Sequence, residues 1–257
     1  MKHITNIINK LWSWVTFSVF TFPLSVLVSC EQIEDFSQET TSLQFVVSDF
    51  PAFGESPETR VIGTQDVGKT AWEKDDQIII TLTSTYYGEQ YGILTYDGTN
   101  WSTDVSLSYL DNETPAVSAI YAPCYEVTED GVMKLRDGMQ PGMTEYIHAN
   151  TTVDGLNVSI SFKDVTRSYS RLRIASEAGK ELTVATTGFT PAGTTSVVAD
   201  DYTLTTDDNG NAFLYGTFAV GATVSVSAGN IEIVSHAFTS ATEECVSYAL
   251  DAIAIPK

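Results

Sequence analysis

Hydrophobic and polar residues alternate along most of the chain after residue 42, which is the pattern of half-buried β-strands. The alternation is strict from Leu156 to Phe162, and no long stretch of this region has apolar residues at helical spacing. Short strands separated by Gly-rich and Asn-rich turns are typical of β-sandwiches and barrels, so the chain is predicted to be all-β. The predicted strands are 43–47, 77–83, 91–96, 101–107, 117–121, 132–135, 156–162, 172–174, 182–184, 197–199, 202–204, 213–218, 224–226, 231–234 and one or two within 245–255.

Two acidic turns help to place these strands. Asp97 and Gly98 follow the strand at 91–96, and this pair favours a hairpin turn. The segment 207–211 has the composition of a calcium loop, but Thr205 occupies an earlier ligand position and no glutamate closes the loop. A second hairpin turn is therefore predicted there.

The chain is long enough for about two domains of ordinary size. A polar segment from Gly138 to Gly155 precedes the second series of strands, which begins at Leu156. We predict two β-sandwich domains in tandem, at 43–150 and 151–257.

The first 29 residues have the organisation of a signal peptide. Lys2 and Lys10 provide a basic start, residues 11–28 are mostly apolar, and no acidic residue lies within this region. A membrane-spanning helix is the alternative. Pro23 and the shortness of the apolar run favour the signal peptide, since a span needs roughly 20 apolar residues.

The end of this region predicts a lipid anchor. The sequence LVSC at 27–30 resembles the bacterial lipobox, in which the cysteine is acylated and the chain is cut before it. Cys30 is therefore the predicted lipidation site, and residues 30–42 are the predicted tether. Acyl chains hold a protein on a membrane at about 0.8 kcal/mol per buried methylene. Glu31, Glu34 and Asp35 are similar to a surface-export signal, although they also suit a plain solvated tether.

Composition narrows the possible partners. The chain has 13 Lys and Arg against 33 Asp and Glu, a formal net charge of −20. Nucleic acid and anionic membrane surfaces are attracted by basic protein surfaces, so neither is a predicted partner. A hydrophobic content of 43% indicates a globular protein rather than a disordered one.

Three cysteines are present, and Cys30 is assigned to lipid. An oxidising compartment would permit a disulfide between Cys124 and Cys245. Because the sequence does not bring them within reach of each other, two buried free thiols are the favoured interpretation.

Signatures of catalysis are missing from the sequence after Cys30. Its two histidines, His148 and His236, form no metal-binding pair, and neither a nucleophile elbow nor a Gly-rich phosphate loop is present. Asp75 and Asp76 would point to opposite faces of a strand, so a solvated turn is predicted there. The predicted protein is not an enzyme and needs no metal or cofactor.

Aromatic residues offer a candidate contact surface. Tyr86, Tyr87 and Tyr91 form a candidate patch for binding a glycan or a partner, although a strand edge with buried rings is the favoured interpretation. Trp72 and Trp101 are predicted to be core residues rather than sugar platforms.

Several short motifs follow one another in a characteristic order. They are LQF at 43–45, TR at 59–60, AWEKDDQI at 71–78, AIYAP at 119–123, VSISFK at 158–163, LRI at 172–174 and VSYAL at 246–250. In this order, and with the lipobox, the chain resembles the fimbrillin-like family, the subunits of type V pili of anaerobic Gram-negative bacteria. Lys163 departs from the family pattern, in which many relatives have a histidine, and no predicted chemistry depends on it.

The resemblance implies two transthyretin-like (Greek-key) β-sandwich domains. It also implies a lipid-anchored fimbrial subunit, at the shaft, tip or anchor position, on the surface of the outer membrane. The implied partners are other pilus subunits, joined by β-strand addition, the outer membrane itself, and a host or bacterial surface ligand for adhesion. In polymerising members an arginine-specific protease removes an N-terminal segment.

Arg60 is the predicted processing site if this subunit polymerises, because no other arginine lies between Cys30 and Trp72. Cutting there would detach the strand at 43–47 and open a groove that a donated strand could fill. The donor is either the C-terminal run 246–250 or the segment that begins at Val61. In an uncleaved tip or anchor subunit Arg60 is an ordinary loop residue. A surface glycan-binding lipoprotein is the alternative function.

Overall fold

The computed structural model describes residues 43–53, 60–61, 68–103, 105–110, 112–163 and 165–251. These residues contain no helix, which confirms the predicted all-β class. The signal peptide, Cys30 and the tether lie outside the described residues. In the part that is described, no helix is long and apolar enough to cross a membrane.

Seventeen strands form the described part of the chain. In chain order they are β1 (Gln44–Val47), β2 (Arg60–Val61), β3 (Gln77–Ser84), β4 (Gly88–Tyr96), β5 (Trp101–Ser102), β6 (Ala116–Tyr121), β7 (Tyr125–Val127), β8 (Met133–Leu135), β9 (Ile147–His148), β10 (Asn150–Asp154), β11 (Asn157–Ser161), β12 (Ser170–Ala175), β13 (Glu181–Pro191), β14 (Asp201–Thr205), β15 (Asn211–Ala228), β16 (Ile231–Ala237) and β17 (Val246–Asp251).

The strands pair into three larger sheets and a small hairpin. A three-stranded sheet has the order β1-β11-β10, and a five-stranded sheet has the order β5-β4-β3-β6-β9. A seven-stranded sheet has the order β14-β13-β15-β12-β17-β2, with β16 also paired to β15. Strands β7 and β8 form the hairpin. Most pairs are antiparallel, whereas β1–β11, β12–β17 and β17–β2 are parallel.

The three-stranded and five-stranded sheets enclose the first core. Ile78, Ile80 and Leu82 on β3 and Val158 and Ile160 on β11 are almost wholly buried, at every second residue as the alternation predicts. The Trp72 and Trp101 rings pack against this core, as predicted, with their centroids 4.9 Å apart in an edge-to-face arrangement.

The seven-stranded sheet forms the second core. Leu172 on β12 and Leu214 on β15 are buried there, together with a stack of three phenylalanines. Phe218 lies 4.5 Å from Phe189 and 4.4 Å from Phe238 between ring centroids. These three rings join the two long strands to the loop after β16.

The strands after residue 150 divide between the two cores, and the predicted domain boundary near that residue stays a prediction. Strands β10 and β11 follow that residue, yet Val158, Ile160 and Phe162 belong to the first core, and the second core begins at Leu172. The polar segment that looks like a linker in the sequence contains β10, which pairs with β11 along its whole length. The number of independently folding domains stays a prediction.

Strand β15 replaces two predicted strands at 213–218 and 224–226. Gly221 has a φ of +79°, but the strand continues because it has partners on both sides of that residue. Strand β12 pairs with its first part, β16 with its last part, and β13 with both parts. The predicted strand at 197–199 is reduced to one bridge between Val198 and Phe189.

Candidate functional site

The N-terminal segment extends two different sheets. We call Leu43–Phe53 together with Arg60–Val61 the N-terminal strap. Strand β1 lies at the edge of the three-stranded sheet, parallel to β11, and β2 lies at the edge of the seven-stranded sheet, parallel to β17. The strap therefore provides an edge strand to the sheet of each core.

The first part of the strap fills the first core. Leu43 and Phe50 are buried there, and Phe45 and Val47 pack against the same residues. Ser48 is tied to the body of the protein at two points. Its carbonyl accepts a 2.8 Å hydrogen bond from Trp72 Nε1, and its hydroxyl accepts a 2.9 Å bond from the Phe162 amide.

Phe53, at the end of the first part of the strap, packs beside the seven-stranded sheet. Phe53 is 1% exposed and packs with Tyr169 and Tyr215 in a third buried cluster. Two guanidinium groups lie over its ring. The Arg167 Cζ atom is 4.7 Å from the ring centroid, and the Arg171 Cζ atom is 4.5 Å from it. A ring with two cations at these distances is held by cation–π attraction as well as by burial. We call this arrangement the Phe53 socket.

A buried ion pair supports the socket. Arg167 is 2% exposed, and its Nε donates a 2.5 Å hydrogen bond to Glu145 Oε2. The Tyr169 hydroxyl donates to the same carboxylate oxygen at 3.0 Å, and Arg167 Nη2 donates to the Pro51 carbonyl. Arg167 thus connects Glu145, the strap backbone and the strap's aromatic ring.

The electrostatics of this cluster follow from its burial. Desolvation alone would lower the pKa of Arg167, but the charge of Glu145 and its hydrogen bonds outweigh that effect and raise the pKa. Burial, followed by the negative charge of Glu145, raises the pKa of Tyr169 well above its ordinary value. Arg167 is therefore always charged and Tyr169 always neutral at physiological pH.

Arg171 is anchored from the neighbouring strand. It is 1% exposed, and its Nε and Nη2 donate to the Ser247 hydroxyl on β17 at 3.0 and 2.9 Å. Its guanidinium also lies 5.2 Å from the centroid of the Phe213 ring. Sequence reasoning missed both socket arginines. Arg171 belongs to an alternating Arg-Leu-Arg run, which indicates an exposed polar face unless its partners are known, and Arg167 lies outside any periodic run.

The predicted processing residue, Arg60, forms half of strand β2. Its backbone pairs with Val246 of β17, and Val61 pairs with Ser247. The bond after Arg60 is thus placed in a two-residue edge strand rather than in a loop, and a protease would have to separate this short pairing to reach it. Cys30, the predicted lipidation residue, lies outside the described residues.

The three predicted contact tyrosines fall into two places. Tyr86 and Tyr87, 70% and 42% exposed, stand at the tip of the β3–β4 hairpin with ring centroids 4.8 Å apart. Tyr91 lies opposite Thr81, three register pairs further from the turn. Its ring covers Gly131, where an added Cβ would come within 2.1 Å of it. The exposed patch is therefore a pair, Tyr86 and Tyr87.

A carboxylate shapes the hairpin tip. Glu113 accepts hydrogen bonds from the Ser84 hydroxyl at 2.5 Å, the Thr85 amide at 2.9 Å and the Leu110 amide at 2.9 Å. The Ser84 hydroxyl in turn accepts from the amides of Tyr86 and Tyr87. These bonds, that from Ser84 first, lower the pKa of Glu113. The tyrosine pair is consequently presented on a turn that is held at several points.

Cys124 and Cys245 are buried thiols that form no disulfide with each other, and the Cys245 thiol donates to the Arg167 carbonyl at 3.0 Å. Burial raises the pKa of the Cys124 thiol, which keeps it protonated. In the described ranges no three His, Cys, Asp or Glu side chains could hold a metal ion. The predicted absence of catalysis and of a metal stays a prediction.

A cleft of about 480 Å³ lies beside the strap at the seam between the cores. Phe50 and Tyr121 line it from the first core, and Leu204 lines it from the second. Among its charged groups, Lys69 pairs with Asp76 at 2.7 Å and Glu145 pairs with Arg167. The Asp207 carboxylate also lines the cleft and accepts hydrogen bonds from the amides of Asn209 and Asn211 at 2.8 Å.

Comparison with known proteins leaves the family open. No model of a protein family matches the chain, and no curated protein matches it. Among solved structures, one similar to this chain is that of a "putative cell adhesion protein" from Bacteroides fragilis. The two are 8% identical, with a TM-score of 0.33, and the match covers 81% of this chain and 92% of that chain. A likeness at this level carries no argument about function.

Replacing Glu145 with glutamine should lower the free energy of unfolding by about 3–5 kcal/mol, because it leaves the buried Arg167 charge uncompensated. Urea unfolding followed by tryptophan fluorescence measures this. Glu73→Gln is the matched control. Glu73 pairs with Lys69 at 3.4 Å with its side chain 74% exposed, so its loss should cost under about 1 kcal/mol. Equal effects of the two changes would contradict the assigned role of the ion pair.

Acid should loosen the hairpin tip. Because the folded-state pKa of Glu113 lies below its ordinary value of 4.5, its stabilising effect is complete above that pH and is lost as the pH falls through the folded-state pKa. The amide resonances of Thr85 and Leu110 should therefore shift together below pH 4.5. In Glu113→Gln this shared titration should vanish, and its persistence would show that another group governs the turn.

Proposed function

We propose that this chain is a structural subunit of a cell-surface type V pilus, a fimbrillin-like lipoprotein that assembles by strand donation and takes part in adhesion. The observation that carries the proposal is the N-terminal strap, which supplies an edge strand to each of two sheets. The order of sequence motifs and the lipobox at 27–30 support it independently.

The physics of the strap suits strand exchange. An edge strand has one hydrogen-bonded neighbour, so its removal breaks one ladder and leaves the rest of the sheet paired. Removal would also uncover the sites of Leu43, Phe50 and Phe53, all of which are buried. Burial of each such side chain contributes about 1.5–3 kcal/mol. An emptied groove of this kind favours a strand from another molecule with matching apolar residues.

Both predicted donors remain compatible with the proposal. The C-terminal run forms β17, which has two strand partners, β12 and β2, and would have to leave both. The segment that begins at Val61 has one described pairing, with β17. Either donor must give up backbone hydrogen bonds in its own subunit and recover them in the next.

Treatment of the mature protein with an arginine-specific protease should produce one cut, after Arg60, followed by SDS-resistant ladders. Arg167, Arg171 and Arg173 are buried. Arg136 is held by a 3.0 Å hydrogen bond to the Tyr125 carbonyl and a 2.5 Å bond to Gln77. Gel electrophoresis and intact-mass measurement follow the reaction.

The matched pair Arg60→Lys and Arg136→Lys identifies the site. The first variant should be neither cut nor assembled, and the second should behave like the wild type. Absence of a cut, or a cut that leaves only monomers, would contradict the polymerising role.

A surface glycan-binding protein is the second candidate, and the exposed Tyr86–Tyr87 pair on its braced turn favours it. On a panel of defined host and bacterial surface glycans, Tyr86→Ser should then weaken binding roughly tenfold, because stacking on the ring is lost. Val220→Ser, at a residue that is also 70% exposed, serves as the control and should leave binding unchanged. No binding by the wild type would exclude this function for the panel tested.

A further inference from the structure

Phe53 lies beyond the end of β1, and its ring is held by two arginines of the body of the protein, Arg167 before β12 and Arg171 within it. We propose that the socket formed by Arg167 and Arg171 selects an aromatic side chain, so that Phe53 retains the part of the strap that ends at Arg60 after the chain is cut there. The proposal rests on the proposed function, and it makes the cut segment a non-covalent plug of the groove.

The socket makes one contact that any residue could provide and one that requires an aromatic side chain. Arg167 Nη2 bonds to the carbonyl of Pro51, a backbone group that every residue has. The side chain read by the two arginines is the ring of Phe53, two residues later, with Cζ-to-centroid distances of 4.7 and 4.5 Å. An aliphatic side chain of similar size would fill the space but would lack the negative ring face that attracts guanidinium groups.

Residues outside the strap hold both arginines. Glu145 accepts from Arg167 and is itself held by the Tyr169 hydroxyl, and Ser247 accepts from Arg171. These residues lie after the cut site and stay with the body of the protein. A segment that displaces the strap should therefore carry an aromatic side chain two residues after a carbonyl that can accept from Arg167.

Retention is tested by timing the release of the cut segment. The mature full chain is cut after Arg60 and mixed with an excess of a synthetic peptide of residues 43–60 carrying a heavy isotope. Chromatography with mass detection then follows the loss of the original segment. We expect slow release from the wild type and release at least about tenfold faster from Phe53→Leu, because two cation–π contacts are lost.

Phe45→Leu is the matched control. It replaces the same kind of side chain in the strap, but the Phe45 ring packs against the first core and not in the socket. It should speed release by less than about threefold. Immediate release from the wild type, or equal acceleration by both changes, would overturn the proposal.

Aromatic selectivity is tested on the unchanged protein, so that misfolding of a variant cannot mimic the result. Peptides of residues 43–60 with Tyr or Leu in place of Phe53 compete for the cut wild-type chain. Tyr should bind within about threefold of Phe, and Leu at least about tenfold more weakly. Equal binding of the Leu peptide would show that the socket reads only size and hydrophobicity.

Processing at Arg60 and retention of Phe53 by the socket can be tested separately. If the protease does not cut after Arg60, the same release experiment is run on a chain whose residues 54–59 carry the recognition site of a different protease. Slow, Phe53-dependent release there would support the socket although processing at Arg60 had failed.

Discussion

A charge buried in a protein must be paired, and in this chain that requirement joins the N-terminal strap to the second half of the molecule. Arg167 is almost wholly buried and is neutralised by Glu145 at 2.5 Å. Its remaining donor capacity is directed at the Pro51 carbonyl and its planar face at the Phe53 ring. Because the free energy of a buried ion pair depends on complete satisfaction of its partners, loss of any of these contacts weakens the others.

The strap also covers sheet edges, which would otherwise expose unpaired backbone groups. Strand β1 covers one edge of the three-stranded sheet and β2 covers one edge of the seven-stranded sheet. A covered edge resists pairing with another chain, whereas an edge whose cover is removed invites it. One segment therefore covers an edge in each of two sheets, which is the feature on which the proposed strand donation rests.

Individual strands show which features of the fold the local sequence pattern predicts and which it does not. The strict alternation at 156–162 became β11, and Asp97-Gly98 became the turn between β4 and β5. Strand β10 lies in a polar segment that looks like a linker in the sequence, yet it pairs with β11 through backbone groups, and backbone pairing needs no apolar side chain. Likewise the sequence around Gly221 suggests a turn between two strands, but β15 continues through it because the strand is paired on both sides of this residue.

The sequence by itself determined the all-β class, the positions of most strands and the core role of Trp72 and Trp101, because these depend on alternation and turn residues within a few positions of one another. The tertiary structure decided where the two cores divide and that Phe53 meets Arg167 and Arg171. Phe53 and Arg167 are 114 residues apart in the chain, and no local period links them. Their meeting depends on parallel strand pairings that only the folded chain brings into register.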